Sequence, residues 1–309
     1  MSKTIIRISN TSLSNSACIL KWYRQVVEGY KNKATGVAMV YGTAVHKFID
    51  QMYEHNGVYP KAFAVAKELY LHIPQEADDK KPWLSDLKHL ETTCYNVWSQ
   101  YIEEDSFEVY RIGGKAAVEL TFDFIYYEDD YVQIRLCGTI DSIGEIKGGI
   151  PCIRDWKTTA SWDNKGYLSQ YQLSKQLRLY TLALKIMAQR EPESVFGKLG
   201  SQRLGAFIDA IFLSSKANDV KFQRSDVFQY SDKDLNEFGL MLDDQCRRLA
   251  SAVRTGYLPK EGIINDTCSG KYGKKCIFWN VCRVNDDVAK LLLARDFIQK
   301  PFDPLAYNV

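Results

Sequence analysis

Three side chains in the stretch GTIDSIGEIKGGIPCIRDWKT, residues 138–158, have the types and spacing to do chemistry: Asp141, Asp155 and Lys157. The stretch reads as two strands joined by a tight turn. Both arms are rich in Ile, with Thr, Cys and Trp among them, and Lys147-Gly148-Gly149 supplies turn residues. A hairpin folded about Gly148 makes Asp141 and Asp155 equidistant from the turn, so they lie opposite one another. Opposed Cβ atoms on antiparallel strands sit ~4.5–5.5 Å apart. Two carboxylates that close repel unless a cation lies between them, so the pattern asks for a metal. Lys157 falls two residues beyond Asp155 and shares its face, while Trp156 turns to the core. An Asp-x-Lys pair is also ordinary on a solvated strand face, and a one-residue slip would separate the carboxylates. The remaining chain has to decide.

The elements that must position these groups can be read in order. IIRIS, residues 5–9, predicts a short strand, and SNSACILKWYRQVVEGY a helix or helical turn with Cys18 near its start. In GTAVHKFIDQMYEHN, Thr43 is the expected N-cap, and Val45, Phe48, Ile49 and Met52 form an apolar stripe beside His46. Taken alone, His46 reads as a partly buried structural residue. Two further helical patterns follow up to residue 104, in KAFAVAKELYLHI and LSDLKHLETTCYNVWSQYIEE. KAAVELTFDFIYYE, YVQIRLCGTIDSI and IPCIRDWKT predict three antiparallel strands, with Glu128-Asp129-Asp130 marking the first turn. Glu119, on the first of these, reads as a solvated or structural acid.

YLSQYQLSKQLRLYTLALKIMAQ predicts one long amphipathic helix, on which Gln172, Gln176 and Tyr180 share a face. RLGAFIDAIFLSS and VKFQRSDVFQY read as two strands. SDKDLNEFGLMLDDQCRRLASAVRTG reads as a helix capped by Ser231 and stopped by Gly256. A final short helix and a loose tail complete the chain.

With 309 residues, 46% apolar and 25% charged, the chain has the composition of a soluble globular protein. A net charge of +2 gives no global nucleic-acid signature, so a polyanion site must be a local patch. Neither a long apolar run nor the apolar core of a signal peptide is present, which predicts a cytoplasmic protein with no membrane association. There is no GxxxxGK[ST] loop, so no ATP site of its own is expected.

Eight cysteines in a reducing compartment are thiols or metal ligands. Cys268, Cys276 and Cys282 are separated by seven and five residues, looser than the tight pairs of zinc sites. Soft thiolates at this spacing suit an iron–sulfur cluster, which needs a fourth ligand. The candidates are Cys18, Cys94, Cys137, Cys152 and Cys246. The last four lie in apolar strands or helices, where a buried free thiol is normal, which favours Cys18. Such a cluster would staple the two ends of the chain.

His46, Asp141 in GTIDSI, Asp155-Trp156-Lys157-Thr158 and Gln176-Leu177-Arg178-Leu179-Tyr180 occur in an order that resembles a known family. It is the RecB-type branch of the PD-(D/E)XK nuclease superfamily, including its glutamine-x-x-x-tyrosine helix motif. One upstream cysteine and three C-terminal ones resemble its iron–sulfur subgroup, which includes the AddB nuclease domain and CRISPR-associated and phage exonucleases. The resemblance spans about residues 10 to 284.

It implies an α/β (α+β) restriction-endonuclease-like fold, a mixed central sheet flanked by helices, as a single nuclease domain over 1–284. Within it would lie a helical insertion at about 47–110, the catalytic sheet and helix at about 115–190 and the cysteine cluster at about 260–284, with a helix and tail at 285–309. His46, Asp141, Asp155 and the Trp156 carbonyl would hold Mg²⁺ or Mn²⁺, Lys157 would orient or deprotonate the attacking water, and Gln176 and Tyr180 would position substrate or metal shell. Cys18, Cys268, Cys276 and Cys282 would hold a [4Fe-4S] cluster. Lys165, Lys175, Arg178 and Lys185 could form the local basic strip for DNA. The implied activity is metal-dependent DNA hydrolysis, expected on single strands or ends in recombination, repair or CRISPR and phage DNA processing, with a helicase or recombination partner. The alternative is a catalytically silent nucleic-acid-binding or recombination-assembly module on the same scaffold.

Overall fold

The structure is a computed structural model describing residues 3–76, 78, 80–102, 105–146, 149–160, 164–216, 218–269 and 275–305, with the side chains of 164 and 165 outside that description. The turn residues Lys147 and Gly148 therefore lie outside the described residues.

Alternating apolar residues form a first short strand, β1 (Thr4–Ile8). The predicted helix around Cys18 is two short pieces, Asn10–Asn15 and Ile19–Trp22, with Cys18 as N-cap of the second. Helix α1 (Val37–Glu54) begins a turn and a half before the expected Thr43 cap. Thr43 is instead inside the helix, its Oγ1 donating to the Met39 carbonyl at 2.9 Å. The helical patterns that follow give α2 (Tyr59–His72) and α3 (Leu87–Val97), the latter capped by Asp86 accepting from Lys88 N.

Next come β2 (Phe107–Val109), β3 (Val118–Glu128), β4 (Val132–Ile146) and β5 (Pro151–Thr159). Asp129 makes the turn between β3 and β4, its Oδ1 accepting from Tyr131 N and Val132 N at 2.8 Å each. The expected long helix after β5 is two: α4 (Asn164–Ser169) and α5 (Lys175–Arg190). Ser174 interrupts the run by capping α5, accepting from Leu177 N at 3.2 Å, so Gln172 lies outside the helix that carries Gln176 and Tyr180. The chain continues through β6 (Gly205–Phe212), β7 (Lys221–Arg224), α6 (Asp232–Thr255) and α7 (Asp286–Asp296). Ser231 and Asp234 bond reciprocally at the start of α6, and Gly256 follows its end at φ 67°, as the sequence predicts.

The fold is a mixed α/β sheet with helices around it, and the chain clusters into two compact units. One comprises residues 1–33, 121–138 and 236–309; the other comprises 34–120 and 139–235. In the first, β1 pairs parallel with Val132–Leu136 of β4. In the second, β5 pairs antiparallel with Ser142–Glu145 of β4 and parallel with β6, and β6 pairs antiparallel with β7. Parallel strands covered on both faces read as continuous apolar runs, and every residue of β6 is buried.

On one face of β5, Trp156 enters a core formed with α1, α2 and α3. Arg154 is on that same face and fully buried. It ion-pairs with Asp105 and, at 3.6 Å, with Asp209, and donates to Ser142 Oγ and Tyr53 Oη. Arg224 from β7 closes the group, reaching Asp105 and Asp209 at 2.8 Å each. The Arg154 guanidinium also lies over the Phe107 and Trp156 rings at 4.3 and 4.7 Å.

Candidate active site

Asp141 and Asp155 face each other because of the register of β4 and β5. The ladder runs from Pro151↔Glu145 to Arg154↔Ser142, the register expected for a turn centred at 148. The next pair in sequence is Asp155 and Asp141, and there the ladder stops. The Trp156 N–H donates to the Asp141 carboxylate, Oδ2, at 2.7 Å rather than to a backbone carbonyl. β5 continues along β6 as far as Thr159↔Phe212, so the two strands open at the carboxylates while β5 stays anchored on its other side.

His46 reaches Asp141 from α1, Nδ1 to Oδ2 at 3.6 Å. Gly42, one turn earlier, allows it: a Cβ there would stand 2.6 Å from Thr158 Oγ1, so only glycine lets α1 sit this close to β5. Burial, then the charge of Lys157, pushes the His46 imidazole down to about 4, so at neutral pH it is an uncharged donor.

Asp155 is 1% exposed. Its Oδ1 accepts from Gln176 Nε2 at 2.8 Å, and Gln176 also donates to Tyr180 Oη at 2.9 Å, so the four-residue spacing on α5 aims both groups at one carboxylate. Its Oδ2 is ion-paired with the Lys157 ammonium. Burial pushes both Asp141 and Asp155 up to about 6, with Lys157 opposing the shift in each. Lys157 is held above its ordinary range: burial pulls it down, but Asp155 and Asp141 outweigh that.

Two further acids belong to this group. Asp50, one turn beyond His46, is buried and hydrogen-bonded to Glu119. Burial, together with Glu119 and Asp141, pushes its carboxyl well up. Glu119 adopts φ 50°, a left-handed conformation uncommon for a side-chain-bearing residue, in the strand where the sequence suggests only a solvated or structural acid. The i, i+4 relation of His46 and Asp50 is the signal that could have found Asp50.

This set offers hard oxygen donors and a neutral imidazole, suited to Mg²⁺ or Mn²⁺ rather than to a soft metal. Asp141 and Asp155, both raised by burial, fit a cation that would offset their charge. Among the described residues, no three His, Cys, Asp or Glu side chains form a closed metal-holding group. The donors are therefore present without a finished coordination sphere.

Of the expected DNA-contacting residues, Lys175 is the first residue of α5, its amine pulled down by burial. The Arg178 guanidinium lies 4.9 Å from the Tyr230 ring centroid. Lys165 lies outside the described residues as a side chain.

The cysteines form a separate group. Burial raises the Cys268 thiol, and Cys276, Cys18 and Cys282 are near enough to raise it further. Cys276 N donates to the Cys268 carbonyl at 2.9 Å. Arg24 donates to Cys282 Sγ at 3.6 Å. Gly262 lies against two of these cysteines: a Cβ there would stand 2.7 Å from Cys268 Sγ and 3.5 Å from Cys18 Cβ. The remaining four cysteines are buried.

Residues 7–283 match the PD-(D/E)XK nuclease superfamily, a match that runs through both compact units. No curated protein matches the sequence significantly. Among solved structures, one titled "Crystal structure of SSO0001" is similar, with 13% identity, a TM-score of 0.28, and coverage of 82% of this chain and 87% of that one. So slight a likeness carries no argument about chemistry. Among the described residues, no helix is long and apolar enough to cross a membrane.

Proposed function

We propose, since this chain belongs to the PD-(D/E)XK nuclease superfamily, that its carboxylate face hydrolyses phosphodiester bonds of DNA with the aid of Mg²⁺ or Mn²⁺, acting on single strands or ends. The observation that carries this reading is the opening of β4 from β5 at Asp141 and Asp155, which sets two buried carboxylates side by side with the Lys157 ammonium against one of them. His46, Asp141, Asp155 and the Trp156 carbonyl would hold the ion. When bound, it would polarise the scissile phosphate and lower the pKa of the attacking water. Lys157, kept charged by its two carboxylate neighbours, orients that water and offsets negative charge growing on the phosphate. Gln176 fixes the Asp155 carboxylate, and Tyr180 fixes Gln176.

The test is cleavage of labelled single-stranded DNA with Mn²⁺ and with EDTA. Wild-type protein should cleave only with the metal. Asp155→Ala and Lys157→Ala should lower the rate by ~10²–10⁴-fold with an unchanged circular dichroism spectrum. Full activity in either variant would remove this face from the reaction. DNA binding without cleavage by wild-type protein would favour the silent module.

For the cysteines, the reading is a [4Fe-4S] cluster on Cys18, Cys268, Cys276 and Cys282, supported by the nearness of the other three to Cys268. Protein purified without oxygen should be brown, with iron and sulfide in equal amounts. Colourless protein with stoichiometric zinc would overturn this.

A further inference from the structure

Between β5 and α5 lies a group of aromatic side chains that the hydrolytic reading does not use. Phe212, at the end of β6, is buried. The Tyr167 ring, from α4, meets it edge-on at 5.6 Å between centroids. Tyr171 meets Tyr167 in turn, at 5.5 Å and 68°, and donates its hydroxyl to Tyr167 Oη at 3.0 Å. A core residue thus anchors a pair of half-buried tyrosines that are fixed to one another. Two residues on, Leu173 is 79% exposed, immediately before the Ser174 cap of α5. Leu173 follows Tyr171 by two residues, so an exposed apolar side chain and a pair of phenol rings lie on one short stretch of chain.

The location says what could cover it. Tyr167 is near enough to Lys157 to help keep that amine charged. The Tyr171 phenol is raised by burial, by its bond to Tyr167, and also by the charge of Asp155. Phe212, on which Tyr167 rests, pairs with Thr159, two residues beyond Lys157 and on the same face of β5, so the aromatic pair lies at the end of the strand that carries Asp155 and Lys157.

We propose that Tyr167, Tyr171 and Leu173 form a base-stacking platform that receives the nucleobase next to the scissile phosphate and so favours unpaired over duplex DNA. This rests on the nuclease reading of the site. A base can stack on an aromatic ring whatever its identity, which gives affinity without sequence preference. A base inside a duplex is already stacked and paired, and must leave its neighbours to reach the platform. The anchoring through Phe212 means the rings are ordered before DNA arrives, which lowers the entropy lost on binding.

The experiment is fluorescence anisotropy in EDTA, which reports binding independently of cleavage. Labelled single-stranded DNA, the same strand with one abasic position scanned along it, and a blunt duplex are the probes. Tyr171→Ala and Leu173→Ser should each weaken single-strand binding by ~5–100-fold, with the larger loss for Tyr171→Ala, and leave duplex binding little changed. Tyr171→Phe, which keeps the ring, should bind like wild type. One abasic position should weaken wild-type binding by a similar factor and have no further effect on Tyr171→Ala. Leu173 is exposed, so its replacement keeps the test alive if Tyr171→Ala does not fold. Unchanged single-strand affinity in the variants, an equal loss for duplex, or abasic sensitivity that persists in Tyr171→Ala would each overturn the platform. Intact binding effects with no Mn²⁺-dependent cleavage would instead overturn the nuclease reading alone.

Discussion

Arg154 and Asp155 are neighbours on β5, point to opposite faces, and are both almost fully buried, yet their charges are treated in opposite ways. On the Arg154 face, two guanidiniums meet two carboxylates, Asp105 and Asp209, with hydroxyl and aromatic partners around them. Positive and negative charge balance there, and each group is hydrogen-bonded. On the Asp155 face, Asp141 and Asp155 share the Lys157 ammonium, His46 is uncharged, and Asp50, beside Glu119, is pushed well up. That face holds more acid than base, and burial raises its carboxylates toward neutrality. The difference teaches which is scaffold and which is site. A compensated buried network holds strands in place, whereas an uncompensated one keeps a cost that a bound cation would relieve.

The comparison can be broken from either side. The largest effect is expected at Arg154. Arg154→Ala leaves Asp105 and Asp209 with Arg224 as their one cationic partner among the described residues, and should cost ~3–5 kcal/mol in urea unfolding. A loss below ~1 kcal/mol would mean that the network is not the scaffold. A smaller change of opposite sign is expected at Asp141. Its folded value, about 6, lies above the ordinary 3.8, so its favourable contribution is present below ~4 and is lost as pH rises through 6. Asp141→Asn stays neutral at every pH and can still accept from the Trp156 N–H. It should stabilise the metal-free protein at pH 7.5 by at most ~3 kcal/mol, and the gain should vanish near pH 4. Destabilisation at pH 7.5 would show that the carboxylate is already compensated.

Much of the Asp155 face was legible because its residues are close in sequence. Gly148 stands midway between Asp141 and Asp155, and the observed pairing keeps that symmetry. The Gln176 and Tyr180 spacing likewise survives as a hydrogen-bonded pair on one helix. Local signals failed where one polar residue can play two roles. Thr43 looked like a cap but bonds backwards inside α1, and Ser174 falls inside the predicted long helix but caps a new one. The Arg154 network left no local trace, because Asp105, Asp209 and Arg224 come from distant parts of the chain. Asp50 was hidden by the apolar stripe around it, and its role emerges only when Glu119 is brought beside it.

Mn²⁺ titration by calorimetry, at pH 7.5 on wild-type protein and on Asp141→Asn, tests the central claim most directly. The account predicts that wild type binds the ion at pH 7.5 with little proton release, that proton release grows and binding weakens as pH falls through about 6, and that the variant is folded but binds it at least ~10-fold more weakly. Equal Mn²⁺ affinity in the two proteins, with no dependence on pH through that range, would contradict it.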